Sequence, residues 1–242
     1  MPAVLRLLPF EVSGGPEQMA ADDLLLDAAT SGTASLRFYG WDTATLSLGY
    51  FQAAQPAHTS PALASLPWLR RRTGGAALVH HHELTYALAL PPDMVGSFVT
   101  SGWIVRVHQS VQAALAEYGI VADLCAAEQR LGEVLCFLHH TPGDLVLAGH
   151  KIAGSAQRKQ RGALLQHGGI LLAQSEHTLQ LPGLTELTGR QLPSQELAAR
   201  IIAWLEATCD WQTVPTAWTA SEQAVRPAHA DRYRDPAWNH RR

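Results

Sequence analysis

Helical and strand-like periodicities alternate along this sequence and predict one domain of mixed α/β structure. Three observations carry that expectation. Apolar residues recur at helical spacing over 101–119 and 193–208. The stretches 34–52, 76–92 and 120–172 are instead rich in strand-forming residues punctuated by Gly and Pro. No internal repeat, low-complexity segment or long linker divides the 242 residues.

The first element is a helix over "GPEQMAADDLLLDAATSG" (15–32), with apolar faces from Met19, Leu24, Leu26 and Ala28 and a stop at Gly32. "ASLRFYGWDTATLSLGYFQ" (34–52) reads as strand–turn–strand, broken at "GWD". "SPALASLPWLRRRTGG" (60–75) holds a short helix and ends in clustered arginines. "AALVHHHELTYALALPP" (76–92) alternates like one strand, stopped by two prolines. In the helix over 101–119, Ile104, Val107, Val111, Leu115 and Tyr118 share a face and Gly119 suits the C′ position. "DLVLAGHKIAG" predicts a hairpin turning at Ala148-Gly149. "PSQELAARIIAWLEAT" (193–208) is an amphipathic helix with Ser194 as N-cap and Leu197, Ile201 and Leu205 on one face. "TASE" (219–222) has capping-box spacing and opens a last helix towards Arg234.

Bulk properties exclude several function classes. A composition of 47% hydrophobic and 16% charged residues supports a substantial core without disulfides or structural metal. The net charge of −3 and the lack of a long basic run argue against nucleic acid as partner. Cys125, Cys136 and Cys209 are odd in number and irregularly spaced, so no disulfide framework is expected. No window approaches 18 apolar residues, and "MPAVLRLLPFEVSGG" is unlike a secretory signal. The expectation is a cytoplasmic protein with no membrane association.

Four stretches could carry chemistry. In "RRRTGG" (70–75), guanidinium groups could bind a carboxylate or phosphate, and glycines could expose backbone N–H groups to an anion; a solvated basic turn reads the same way. In "HHHELTYAL" (80–88), His80 and His82 would share a strand face, but no partner at metal-site spacing accompanies them, so no metal is predicted. In "LCFLHHTPGD" (135–144), Cys136 is either a nucleophile beside His139 and His140 or a small buried hydrophobe. In "GHKIAGSAQRKQRGALLQHGGILL" (149–172), small residues around Lys151 make room for a close approach, and the lysine could act as a point charge on an acyl carbonyl or phosphate.

Taken together, these stretches resemble the lipoate/biotin protein ligase and octanoyltransferase superfamily, in its lipoate-ligase-like branch. "RRRTGGAALVHHHELTYAL" is similar to R-R-x-[ST]-G-G-x-A-V-x-H-x-x-E-L-T-Y-S, and 149–172 to G-x-K-I-x-G-S-A-Q-R followed by Q-H-G-S-[IL]-L-L. "QMAADDLLLD" resembles the family's first helix, "LRFYGWDTATLSLGYFQ" its first hairpin, and "DRYRDPAWN" its Y-x-x-x-x-W-N ending. The resemblance implies an α+β fold: a large mixed or antiparallel sheet flanked by helices, like the catalytic domain of biotin ligases. Carried over residue by residue, it implies that Arg70, Thr73, Gly74 and Gly75 line an acyl or acyl-adenylate pocket. His80 matches the motif histidine and Lys151 the essential lysine. Gly154 and Ser155 match the small residues beside the lysine, and Gln166, His167 and Gly168 the strand closing the site. His81, Ala87 and Gly169 depart from the family's usual Asp, Ser and Ser.

Two chemistries occur in the superfamily. Ligases activate lipoate with ATP and Mg2+; octanoyltransferases take an acyl group from acyl carrier protein onto a cysteine and need no cofactor. Cys136 precedes Lys151 by fifteen positions, and "CF" followed by a loop and "GxKIAGSAQ" resembles the cysteine-dependent octanoyltransferases of Gram-positive type. A thiolate exchanges readily with a thioester, and a neighbouring Lys151 would favour the thiolate and the developing oxyanion. After the capped helix near 219 there is no room for a ligase's accessory C-terminal domain, so 1–242 is read as a single catalytic domain. The resemblance thus implies octanoyl transfer to lipoyl carrier domains (the glycine cleavage H protein and E2 subunits), with an ATP-dependent lipoate ligase as alternative. A non-catalytic acyl- or carrier-binding protein is a third reading, disfavoured because a binding module needs no nucleophile.

Overall fold

The computed structural model describes residues 2–54, 61–96, 100–132 and 134–241; Met1, Ser60, Glu133 and Arg242, which belong to stretches read above, lie outside them. The chain opens with β1 (Ala3–Leu7), β2 (Glu11–Ser13), α1 (Gly15–Thr30), β3 (Ser35–Trp41) and β4 (Thr45–Leu48). It continues through α2 (Pro61–Ala64), β5 (Trp68–Arg70), β6 (Leu78–His80), β7 (Glu83–Leu90), α3 (Pro92–Val95) and α4 (Thr100–Ala116). Short strands β8 (Asp123–Leu124), β9 (Gln129–Arg130), β10 (His139–His140) and β11 (Leu145–Leu147) surround a 3-10 turn at Cys136–Leu138. Next come β12 (His150–Gln160), β13 (Ala163–Leu171), α5 (Leu184–Thr188), α6 (Ser194–Cys209), β14 (Trp211–Pro215), α7 (Ala220–Arg234) and α8 (Pro236–Asn239).

The large sheet runs β14–β1–β3–β7–β13–β12–β11–β8, with β2 also on β3. It is parallel around β1, β2, β3 and β14, and antiparallel from β3 onward, which is the mixed sheet the sequence resemblance implies. Strands β7 and β13 are buried along their whole length because both faces are covered. On one face, Ala87, Ala89 and Leu165 meet Leu25 and Leu26 of α1 and Tyr233 of α7. On the other, Leu88 and Leu164 meet Val107 and Val111 of α4 and Ile201 and Leu205 of α6. Each such leucine contributes roughly 1.5–3 kcal/mol by leaving water. A second, small sheet, β5–β4–β6, closes over a third cluster that includes Leu46, Val79, Leu135 and Phe137.

The Ala148-Gly149 turn is as expected: both residues have positive φ (49° and 81°), the requirement of a two-residue hairpin joining β11 to β12. The capping box at Thr219 is also present. Glu222 N–H donates to Thr219 Oγ1 (3.1 Å), and Thr219 N–H to Glu222 Oε2 (2.7 Å). Thr219→Ala is expected to cost about 1 kcal/mol, measurable as a fall of roughly 2–4 °C in Tm.

Three expectations are corrected. Strands β3 and β4 exist but form no hairpin: β1 and β2 occupy one edge of β3 and β7 the other, so β4 leaves to found the small sheet. The stretch 76–92 is two strands, because the Glu83 carboxylate accepts from His81 N–H (2.7 Å) and turns the chain between β6 and β7. His80 and His82 therefore share no strand; the His82 ring stacks on His81 at 3.5 Å. Ser194 is the first helical residue, and Pro193, extended at φ −64° and ψ 122°, is the N-cap of α6.

Candidate active site

Lys151 is the second residue of β12, and its side chain is buried. Its Nζ donates to Asp144 Oδ2 (2.7 Å) and to the carbonyl of His139 (2.9 Å), and lies 3.9 Å from Cys136 Sγ. The same Asp144 oxygen accepts from Thr141 N–H (2.7 Å) and Oγ1 (2.9 Å), so the carboxylate is fixed before it meets the lysine. Gly154 makes the space: a Cβ there would stand 2.4 Å from Lys151 Cε. Gly154→Ala is expected to push Lys151 off Asp144, cutting turnover at least about tenfold and lowering Tm; both follow from the loss of a buried ion pair.

Cys136 comes to the lysine from the 3-10 turn, which is tied to the residue before β6. Leu135 bridges to Ala77, and Cys136 N–H donates to the Ala77 carbonyl (2.7 Å). Leu135 and Phe137 are buried, leaving Cys136 half-buried at a narrow apolar recess. His80, Gly154, Ser155, His167 and Gly168 line that recess with it.

The other implied residues lie elsewhere. Arg70 is fully buried away from the recess, donating to the carbonyls of Gly49 (2.8 Å), Gln52 (2.6 Å) and Asn239 (3.0 Å). Asn239 Oδ1 accepts from Arg70 N–H, and Trp238 Nε1–H donates to Arg70 O, so the "WN" ending and the first arginine form one structural clamp. Arg71, the residue after β5, lines the recess, and Arg70 does not. Gly74 and Gly75 are not among the residues that line this recess. The carbonyls of Gly74 and Ala76 instead accept from Arg71 Nη2 (2.7 and 2.8 Å). Gly75, at φ 89°, brings its oxygen so close to Gly49 that a Cβ on Gly49 would sit 1.8 Å away. Thr73 stands behind His167, and Gln166 donates to the Tyr86 hydroxyl (2.7 Å) from outside the recess.

Three directed hydrogen-bond chains hold the recess walls. Arg71 Nη1 can only donate, so Ser47 Oγ accepts from it (3.1 Å) and gives its own proton to His80 Nε2 (2.8 Å). His80 Nδ1–H then donates to Glu83 Oε1 (2.5 Å), and the Trp41 ring stacks on the imidazole at 3.9 Å. Burial pulls His80 below the usual imidazole range, against the neighbouring carboxylate. Burial raises Glu83, but the facing His80 and the hydrogen bonds from His80 and His81 outweigh it and hold the carboxyl below its ordinary value. His80 is thus a neutral relay with both nitrogens engaged. In the second chain, Tyr86 donates to Ser155 Oγ (2.5 Å), Ser155 to His108 Nε2 (2.6 Å), and His108 Nδ1–H to the Gly143 carbonyl (2.5 Å). In the third, Thr73 donates to His167 Nε2 (2.6 Å) and His167 Nδ1–H to Asp22 (2.9 Å). The His139 ring is turned away onto the Gly132 carbonyl.

Residues 15–181 match the family model described as the lipoyl protein ligase A/B catalytic domain. The chain belongs to this family. Its lipoyl protein ligase A/B relatives include the octanoyltransferase LipM of Symbiobacterium thermophilum, 31% identical over 238 residues, 93% of this chain and 85% of that one. Among solved structures, a putative lipoate protein ligase of T. acidophilum superposes over all of both chains with a TM-score of 0.80 at 21% identity. A bi-partite lipoate protein ligase of Thermoplasma acidophilum, from a structural analysis of that ligase and its E2 lipoyl domain, gives a TM-score of 0.75 at 19% identity over 98% and 96% of the two chains. At those identities the structures establish the fold of this lipoyl protein ligase A/B domain, a mixed sheet between helices.

Proposed function

We propose that this chain is an octanoyltransferase of protein lipoylation that carries the acyl group on Cys136. The observation that carries the reading is the half-buried thiol at the recess, 3.9 Å from the Lys151 ammonium. The Cys136 thiolate attacks the thioester carbonyl of an octanoylated acyl carrier protein; a C–S bond forms, and the carrier thiolate leaves with a proton from Lys151. The lysine amine of a lipoyl domain then attacks the Cys136 thioester. A C–N bond forms, the thiolate is released, and the amine's proton returns to Lys151. The apolar recess suits an eight-carbon chain, each buried methylene contributing about 0.8 kcal/mol. No cofactor takes part, and the reaction belongs in the cytoplasm with its carrier proteins.

Mass spectrometry of the protein with octanoyl carrier protein and a lipoyl domain, without ATP, tests this. The expected result is an octanoyl adduct on Cys136, followed by octanoylation of the acceptor lysine. Acceptor modification only with free lipoate, ATP and Mg2+ would overturn the reading and make the chain a lipoate ligase.

A further inference from the structure

Arg71 lines the same recess as Cys136, and Lys151 Nζ lies 3.9 Å from the sulfur; the two cations differ in electrostatic state. Lys151 faces the Asp144 carboxylate at 2.7 Å, so the pair adds little net charge to the recess. Arg71 is 5% exposed and, among the described residues, has no carboxylate partner; its acceptors are the carbonyls of Ser47, Gly74 and Ala76 and the Ser47 hydroxyl. These engage four of its five N–H groups. Among the described residues Nε–H has no hydrogen-bond partner, and the atom is not sealed from solvent. A buried guanidinium without a counter-ion is costly, so an anion completing it is strongly favoured. Burial draws the Arg71 guanidinium below its usual range, and the group whose charge draws it back is Cys136.

We propose that Arg71 supplies the uncompensated positive charge at Cys136, its free Nε–H facing the recess, and that Glu83, His80 and Ser47 are positioning residues that hold it there. This rests on the Cys136 reading above and divides the labour. Arg71 stabilises the thiolate and the oxyanion that forms when the C=O electron pair moves onto oxygen, whereas Lys151 carries protons. His80 Nε2 takes the Ser47 proton, which leaves the hydroxyl lone pairs to the guanidinium, and Glu83 keeps the other proton on Nδ1.

The test is iodoacetamide alkylation of Cys136, mapped by mass spectrometry from pH 6 to 10, which reads the thiolate whether or not octanoyl is ever transferred. In Arg71→Gln, alkylation at pH 7 is expected to slow about tenfold, the effect of removing one adjacent opposite charge. The deficit is expected to close near pH 10, which damage to packing would not produce, and Arg71→Lys is expected to recover part of the rate. The double variant Lys151→Met/Asp144→Leu removes a neutral pair and is expected to stay within about threefold of wild type. Wild-type reactivity in folded Arg71→Gln, or a deficit equal at pH 7 and pH 10, would overturn the proposal. Should Arg71→Gln not fold, the double variant decides, a tenfold loss at pH 7 assigning the charge to Lys151 instead. Failure of octanoyl transfer with these pH profiles intact counts against the function and leaves the Arg71 assignment standing.

Discussion

Cys136→Ala is expected to abolish octanoyl transfer, by at least about 10^4-fold, as removal of an attacking nucleophile does. The fold should hardly notice. Leu135 and Phe137 provide the buried apolar contacts of this turn, and the backbone tether from Cys136 N–H to Ala77 O does not involve the sulfur. A half-buried thiol replaced by a methyl group costs about 1 kcal/mol or less. The informative result is the contrast: an unchanged melting curve beside a silent enzyme, with no acyl adduct by mass spectrometry. Residual transfer near the wild-type rate would mean that the acyl group never rests on this sulfur.

Lys151→Met should fail on both counts. Asp144 is 2% exposed, and its carboxylate would keep the two Thr141 hydrogen bonds but lose its cation. Breaking one side of a buried ion pair costs roughly 3–5 kcal/mol, a fall on the order of 10 °C in a chain of this size. The His139 carbonyl would also lose its 2.9 Å donor, loosening the segment that carries the thiol. Lys151→Met/Asp144→Leu should recover most of the lost Tm, because no charge is left stranded. It should not recover turnover, because the proton carrier is gone. Calorimetry beside the transfer assay separates the two effects, and an active double variant would refute the role given to Lys151.

Local features of this chain were legible in sequence because local physics decides them. The Ala148-Gly149 turn needs two positive φ values, and the 219–222 cap needs Thr and Glu three apart. Pairing partners were not legible. Nothing in "FYGWDTATL" says that both edges of β3 are already taken, so a hairpin was the natural reading. The site shows the same division. The Cys136 and Lys151 motifs survive on paper, but three consecutive arginines look alike there, and only the fold sends Arg70 to the chain's end and Arg71 to the recess. Asp144, Ser47 and Asp22 were missed because nothing in the sequence pairs them with Lys151, Arg71 and His167, which lie 7, 24 and 145 residues away.

The separation of the small sheet from the large one has a mechanical consequence. Ser47, His80 and Arg71 ride on or directly beside the small sheet, and the thiol is tethered to it through Ala77. Lys151 belongs to the large one. The segment that carries the thiol is therefore tied to both sheets, to the small one at Ala77 and to the large one where Lys151 Nζ donates to the His139 carbonyl. Loosening either tie, by mild urea or warming, would displace the sulfur, so its reactivity should fall together with catalysis.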